Sequence, residues 1–125
     1  MSFSRLILSK KILIGNLEYQ KRYCKNICAM VKADAYGMGI EFVCKTLKNK
    51  IDFFGVANLD EALKIRSFDK ESKVLIVGFC ENYYLSILND ISFTIQSEED
   101  FNNLIKIIEK NEKNLKKYAK IANSV

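Results

Sequence analysis

The stretch from Ile27 to Gly39, I-C-A-M-V-K-A-D-A-Y-G-M-G, constrains this chain more than any other part of it. Residues 27–31 form a short, continuous apolar run, which suits a parallel strand covered on both faces. Lys32 then falls at the carboxyl end of that strand. Chemistry sits at that end in parallel α/β folds, and two glycines close behind allow the backbone to approach a ligand. Position alone favours a lysine that simply leaves the strand for water, since lysine is rarely buried without a partner.

Around this stretch the chain alternates strand and helix. Leu6-Ile7-Leu8 offers a short edge strand, and Ser9 is placed to cap a helix from Lys10 to about Tyr23 with Ile12, Leu13, Leu17 and, at its end, Tyr23 facing inward. Residues 40–47 carry apolar side chains at 40, 43, 44 and 47, the stripe of an amphipathic helix. Residues 53–57 read as a second buried strand, Asn58 as the cap of a helix over 59–68, and residues 73–78 as a third strand. Residues 81–89 predict a short helix with Tyr84, Leu85 and Leu88 inward, and residues 91–96 alternate as a fourth strand. Ser97 with Asp100 caps a long amphipathic helix on which Phe101, Leu104, Ile105 and Ile108 share a face, while residues 106–117 present a solvated, lysine-rich surface. Repeated strand-helix units with short connections predict a parallel sheet with right-handed crossovers.

Composition narrows the function classes. The chain is 49% hydrophobic and 28% charged, enough apolar material for a core. Its 20 basic residues exceed the 15 acidic ones, but only Arg5, Arg22 and Arg66 are arginines, which argues against a nucleic-acid footprint. No apolar run is long enough to span a bilayer or to serve as a signal-peptide core, so a cytoplasmic location is expected. Cys24, Cys28, Cys44 and Cys80 form no C-x-x-C pair and there is no histidine, so no metal site is expected and the four are read as buried thiols in a reducing compartment.

The string V-K-A-D-A-Y-G-M-G resembles the signature of the alanine racemases, V-K-A-[ND]-A-Y-G-H-G, at eight of nine positions. The resemblance implies that Lys32 carries pyridoxal 5'-phosphate as a Schiff base and that Tyr36 helps to hold its phosphate. Met38 stands where the family has histidine, and a thioether cannot replace the imidazole's hydrogen bonds. Further along, residues 56–66 are similar to the family's V-A-x-x-x-E-A-x-x-[LI]-R. Glu61 is read there as a first-turn carboxylate favoured by the helix dipole, with no part in catalysis. Residues 73–78 are similar to I-L-V-L-G, where the aliphatic residue before the glycine packs near the cofactor. That makes Val77 a candidate cofactor contact, with an ordinary core valine as the alternative. Asn16-Leu17 matches an N-L pair in the helix before the first strand, and residues 119–125 resemble the start of the family's fifth strand, with Lys120 at its lysine.

The resemblance implies the amino-terminal part of a pyridoxal-phosphate-binding (β/α)8 TIM barrel, about four of its eight strands, since a whole barrel takes about 250 residues. It implies one partial domain over residues 1–125, with the family's carboxyl-terminal β domain absent. The chemistry asks for these residue types. A lysine amine adds to an aldehyde only when neutral, and its reference pKa is about 10.4, so partial burial or a nearby positive charge must lower it, as a strand end inside a barrel mouth is expected to do. The cofactor withdraws the electrons left when an amino acid loses its α-proton, and the freed lysine serves as the base on one face. Racemisation needs a second proton donor on the opposite face. In the family this is a tyrosine of the carboxyl-terminal domain of the partner subunit, and no residue of this chain matches it. The expected function is therefore that of an isomerase interconverting L- and D-alanine for D-alanine supply, acting on a small amino acid, homodimeric when complete and binding neither nucleic acid nor membrane. The alternatives are an inactive or non-catalytic cofactor-binding product and a related barrel protein that uses the same cofactor.

Overall fold

The computed structural model describes residues 4–116. Its elements run α1 (Lys10–Lys21), β1 (Cys28–Met30), α2 (Lys32–Tyr36), α3 (Ile40–Leu47), β2 (Phe53–Val56), α4 (Leu59–Phe68), β3 (Val74–Ile76), α5 (Tyr83–Leu88), β4 (Ile91–Phe93), α6 (Glu98–Lys110) and α7 (Glu112–Leu115). Four helices begin where a side-chain oxygen meets the unpaired N–H groups of a first turn. Ser9 Oγ accepts from the Ile12 N–H at 3.3 Å, Asn58 Oδ1 from Glu61 at 3.0 Å, Asn82 Oδ1 from Leu85 at 3.0 Å and Ser97 Oγ from Asp100 at 3.1 Å.

The four strands pair in sequence order, β1-β2-β3-β4, and every pair is parallel. That is the order in which the first four strands of a (β/α)8 barrel lie side by side. The register puts Ala29, Phe54, Val74 and Ile91 in one row across the sheet, and Val56, Ile76 and Phe93 in the next row on the same face. This face is packed under helices. Phe54, Val56, Val74 and Ile76 are buried with Ile40, Val43, Cys44 and Leu47 of α3 and Leu59, Ala62 and Ile65 of α4. Covering each such side chain is worth about 1.5–3 kcal/mol, so a one-residue slip of register would forfeit several at once. The opposite face carries Cys28, Met30, Phe53, Gly55, Leu75 and Ser92, and of these Gly55 alone is buried, under the Met30 and Cys28 side chains. Among the described residues, helices thus cover the sheet on one side only.

Several sequence expectations are corrected. Leu6-Ile7-Leu8 forms no strand, and Leu6 and Ile7 stand exposed, because the segment pairs with none of the four strands and so gains neither ladder bonds nor burial to offset ordering the chain. On α1 only Leu17 is buried and Leu13 packs beside the core, while Ile12 and Tyr23 face water. Helix α5 is rotated from its expected face. Its cap at Asn82 sets Tyr83 against Phe93, with ring centroids 5.0 Å apart, and buries Ser86, whose hydroxyl donates back to the Asn82 carbonyl at 2.9 Å. Leu85 is exposed instead. On α6, Leu104 packs against the core, as does Ile107, but Phe101 and Ile105 remain exposed. Among the described residues no strand follows β4 to lie beneath that helix. The fifth-strand expectation, with Lys120, falls outside the described residues.

Candidate functional site

Lys32 stands two residues past the end of β1, as the first residue of α2, at the carboxyl edge of the sheet. The backbone that follows it is unusual. Ala33, Asp34, Ala35 and Tyr36 have φ of 52°, 54°, 55° and 56°, so α2 is a single left-handed helical turn built from residues other than glycine. It closes with hydrogen bonds of the helical kind, from the Ala35 N–H to the Val31 carbonyl at 3.0 Å and from the Gly37 N–H to the Ala33 carbonyl at 3.1 Å. Each L-residue in this conformation costs roughly 1–2 kcal/mol, so the turn stores on the order of 4–8 kcal/mol that its surroundings must offset. Gly37 and Gly39, at φ 85° and 93°, carry the chain out of the turn without adding to that cost.

Two carboxylates hold the turn. Asp34 Oδ1 accepts from the Ile40 N–H at 2.8 Å, capping α3 from outside the helix, while the Asp34 carbonyl accepts from the Gly39 N–H at 2.8 Å. Lys64 lies 3.9 Å from the same Oδ1. Glu61, in the first turn of α4, accepts from the Ala57 N–H at 2.8 Å with one oxygen and from the Ala33 N–H at 3.1 Å with the other. A third carboxylate extends the pattern by one strand, since Glu81 Oε2 accepts from the Leu59 N–H at 3.2 Å. Sequence reasoning assigned Glu61 to its own helix and gave Asp34 no role. The sequence holds no sign of an acceptor that reaches back across 28 residues.

The predicted site residues share this edge. Lys32 is exposed, not partly buried as expected, because among the described residues helices cover only one face of the sheet and no wall rises around the amine. Tyr36 is 60% exposed, and among the described residues its hydroxyl has no recorded hydrogen bond. Val77, 39% exposed, lies just past β3 and donates its N–H to the Val56 carbonyl at 2.9 Å. Beside it, a Cβ on Gly78 would sit 2.5 Å from the Ala57 carbonyl oxygen, so glycine is what lets the segments after β2 and β3 meet at the rim. Met38, at the family's histidine position, packs against the core beside α3, which makes it a packing residue. No position of Lys32 relative to Tyr36 or Val77 is fixed by a direct bond among the described residues.

The donor set fits pyridoxal phosphate at two of its ends. A primary amine outside any recorded ion pair matches the aldehyde, and an unpaired phenol matches a phosphate oxygen. Two depressions lie elsewhere. One of about 340 Å³ is lined by Leu13, Leu17 and Leu47 between α1 and α3, and one of about 260 Å³ lies at the amino ends of β2 and β3 beside Asp52 and Lys73. With Lys32, Tyr36 and Val77 all exposed, the candidate site is an open rim. Among the described residues no three His, Cys, Asp or Glu side chains are grouped to hold a metal. All four cysteines are free; Cys44 and Cys80 are buried as expected, but Cys24 and Cys28 are exposed, the latter on the uncovered face of the sheet. Among the described residues no helix is long and apolar enough to cross a membrane.

Comparison with known proteins follows the same outline. The family described as alanine racemase, N-terminal domain, matches residues 11–124. The alanine racemase of Haemophilus influenzae is 40% identical over 102 residues, 78% of this chain and 28% of that protein. That of Francisella tularensis is 36% identical over 120 residues, 93% of this chain and 32% of that protein. Among solved structures, the alanine racemase from Acinetobacter baumannii superposes with a TM-score of 0.72 at 32% identity, covering 78% of this chain and 28% of that one. The one from Oenococcus oeni gives 0.72 at 28% identity, covering 78% and 29%. The chain thus spans less than a third of the length of these relatives.

Proposed function

The chain belongs to the alanine racemase N-terminal domain family, and from that premise we propose that it supplies the lysine-bearing side of a pyridoxal 5'-phosphate-dependent isomerase that interconverts L- and D-alanine. The observation that carries this reading is the left-handed turn. A chain does not hold four consecutive non-glycine residues in a costly conformation beside a lysine at a strand end unless that geometry is used.

In this reading Lys32 Nζ would hold the cofactor through its aldehyde, and Tyr36 Oη would donate a hydrogen bond to its phosphate. Val77, just past the end of β3, would be a contact for the cofactor. When bound, the cofactor supplies an electron sink for the charge left after α-proton removal. Lys32 Nζ, once free, takes that proton from the face it reaches and returns one to the same face. A single base on one side would restore the original configuration, so inversion requires a donor on the other face. We assign that donor to a part of the protein outside these 125 residues, contributed across a homodimer interface. The same reading makes the protein a cytoplasmic enzyme of D-alanine supply for peptidoglycan, with a small amino acid as its substrate, and makes residues 1–125 one partial barrel domain.

The test is borohydride reduction with pyridoxal phosphate followed by peptide mapping. We expect the label to concentrate on Lys32. Modification spread evenly over the other lysines would remove the basis for the assignment.

A further inference from the structure

The turn after Lys32 is held by only one side chain from beyond residue 40 through a direct backbone hydrogen bond recorded among the described residues, and that side chain is Glu61. At an ordinary capping box the glutamate three residues into a helix folds back on the backbone N–H at the start of its own helix, and its second oxygen faces water. Here one oxygen makes that local bond, to Ala57, one residue before the cap. The other crosses to the Ala33 N–H at 3.1 Å. Ala33 is the residue next to Lys32 and the first of the left-handed four. Glu61 is in turn fixed from below, since its own N–H donates to Asn58 Oδ1 at 3.0 Å. Behind it, Glu81 bonds the Leu59 N–H and fixes the start of the same helix from the segment after β3.

We propose that Glu61 is the positioning residue for Lys32: its carboxylate bridges the Ala33 and Ala57 N–H groups and so sets the direction in which the lysine leaves the sheet edge. A charged acceptor suits the task. Carboxylate bonds to N–H are roughly twice as strong as neutral ones, and both oxygens are used. Lys32 is exposed, so the backbone at Ala33 carries the direction in which it leaves the sheet. Glu61 touches neither substrate nor cofactor in this account. The inference rests on Lys32 being the cofactor-holding amine.

The experiment compares the protein with Glu61→Gln and Glu61→Ala, each kept well below its own melting temperature. Two quantities are read: amide hydrogen exchange at Ala33 and Ala57, and the pyridoxal phosphate concentration that half-saturates borohydride trapping at Lys32, with labelling of Lys106 as the control. In the unmodified protein the Ala33 amide should be protected despite its exposed position. Glu61→Ala should release both amides and raise the half-saturating concentration on the order of tenfold or more. Glu61→Gln, which keeps one acceptor oxygen, should fall between. Lys106 should not change. If Glu61 were only a helix cap, the variants would melt earlier yet trap cofactor at Lys32 with the original concentration dependence, and the proposal would be overturned. An unprotected Ala33 amide in the unmodified protein overturns it too, even if neither variant folds. Failure of the unmodified protein to favour Lys32 would instead show that the assignment of the lysine is wrong, a result distinct from normal trapping in all three proteins.

Discussion

Ala33 gives the sharpest statement at the scale of single residues. In a right-handed helix Ala→Gly destabilises by about 0.5–1 kcal/mol. At φ 52° the sign should reverse, because the Cβ is what makes the conformation costly. We expect Ala33→Gly to leave stability unchanged or raise it by up to about 1 kcal/mol, after the added entropy of the unfolded chain is subtracted. Urea unfolding of the two proteins checks this, and a clear loss of stability would mean that the turn is not left-handed. None of this was legible in K-A-D-A-Y, since alanine and tyrosine carry no mark of positive φ. Only Gly37 and Gly39 hinted at it, and they sit where the turn ends. Cys44 makes a second, pH-dependent case. Burial, and then the Asp69 carboxylate, push its thiol up from 9.0 to about 12. The folded state therefore keeps a proton that the unfolded state loses, so this contribution to stability is intact below about pH 9 and disappears as pH rises towards about 12. Cys44→Ala should show a shallower alkaline loss than the unmodified protein when urea midpoints are compared across that range.

Helix α4 joins the two ends of the sheet, and at the scale of elements it was both well read and misread. Its span, 59–68, and its cap, Asn58, were legible because the signals are local: an Asn, an acidic first turn and an apolar stripe. Its outward reach was not. Glu61 serves the carboxyl edge, while Arg66, 8% exposed, serves the opposite one. The Arg66 guanidinium donates to the carbonyls of Asn89 and Asp90 at 2.7 Å each, Ser72 at 2.8 Å and Asp69 at 3.1 Å. These carbonyls belong to the segments that lead into β3 and β4, so one side chain sets where both strands begin. Burial pulls this guanidinium's pKa down while Asp90 and Asp69 pull it up. The planar fork meets four acceptors at once, and a lysine ammonium has too few donors in the wrong directions. Arg66→Lys should cost roughly 2–4 kcal/mol by leaving carbonyls unpaired in a buried place. A fall in the urea midpoint without a change in m-value would confirm it, and a neutral result would show that water replaces the fork.

At the scale of the whole molecule, the described residues form a four-stranded parallel sheet with open edges at β1 and β4, one face without covering helices and a long helix whose Phe101 and Ile105 face water. The strand order was legible because repeated strand-helix units with short connections allow few other arrangements. The openness of the site was not, because the motif around Lys32 reads the same whether or not a wall stands opposite it. That openness leads to the last prediction, that these 125 residues on their own do not racemise alanine. In the proposed reading they would supply Lys32 as a base for one face of the substrate, Tyr36 for the phosphate and Val77 as a rim contact. Nothing among the described residues encloses the amine or excludes water from it. Preorganised, water-excluding surroundings are usually the largest part of an enzyme's rate enhancement, so an exposed lysine should act little better than the cofactor in solution. Free pyridoxal phosphate exchanges α-protons slowly, so it must be the control. The chain is expressed by itself, supplied with the cofactor, and the optical rotation of L-alanine is followed against cofactor alone. We expect the two rates to agree, with concentration-dependent association of the chain through its open strand edges visible by light scattering. Turnover well above the control, abolished by Lys32→Ala, would establish that the rim is a complete active site and that inversion needs no group from beyond this span.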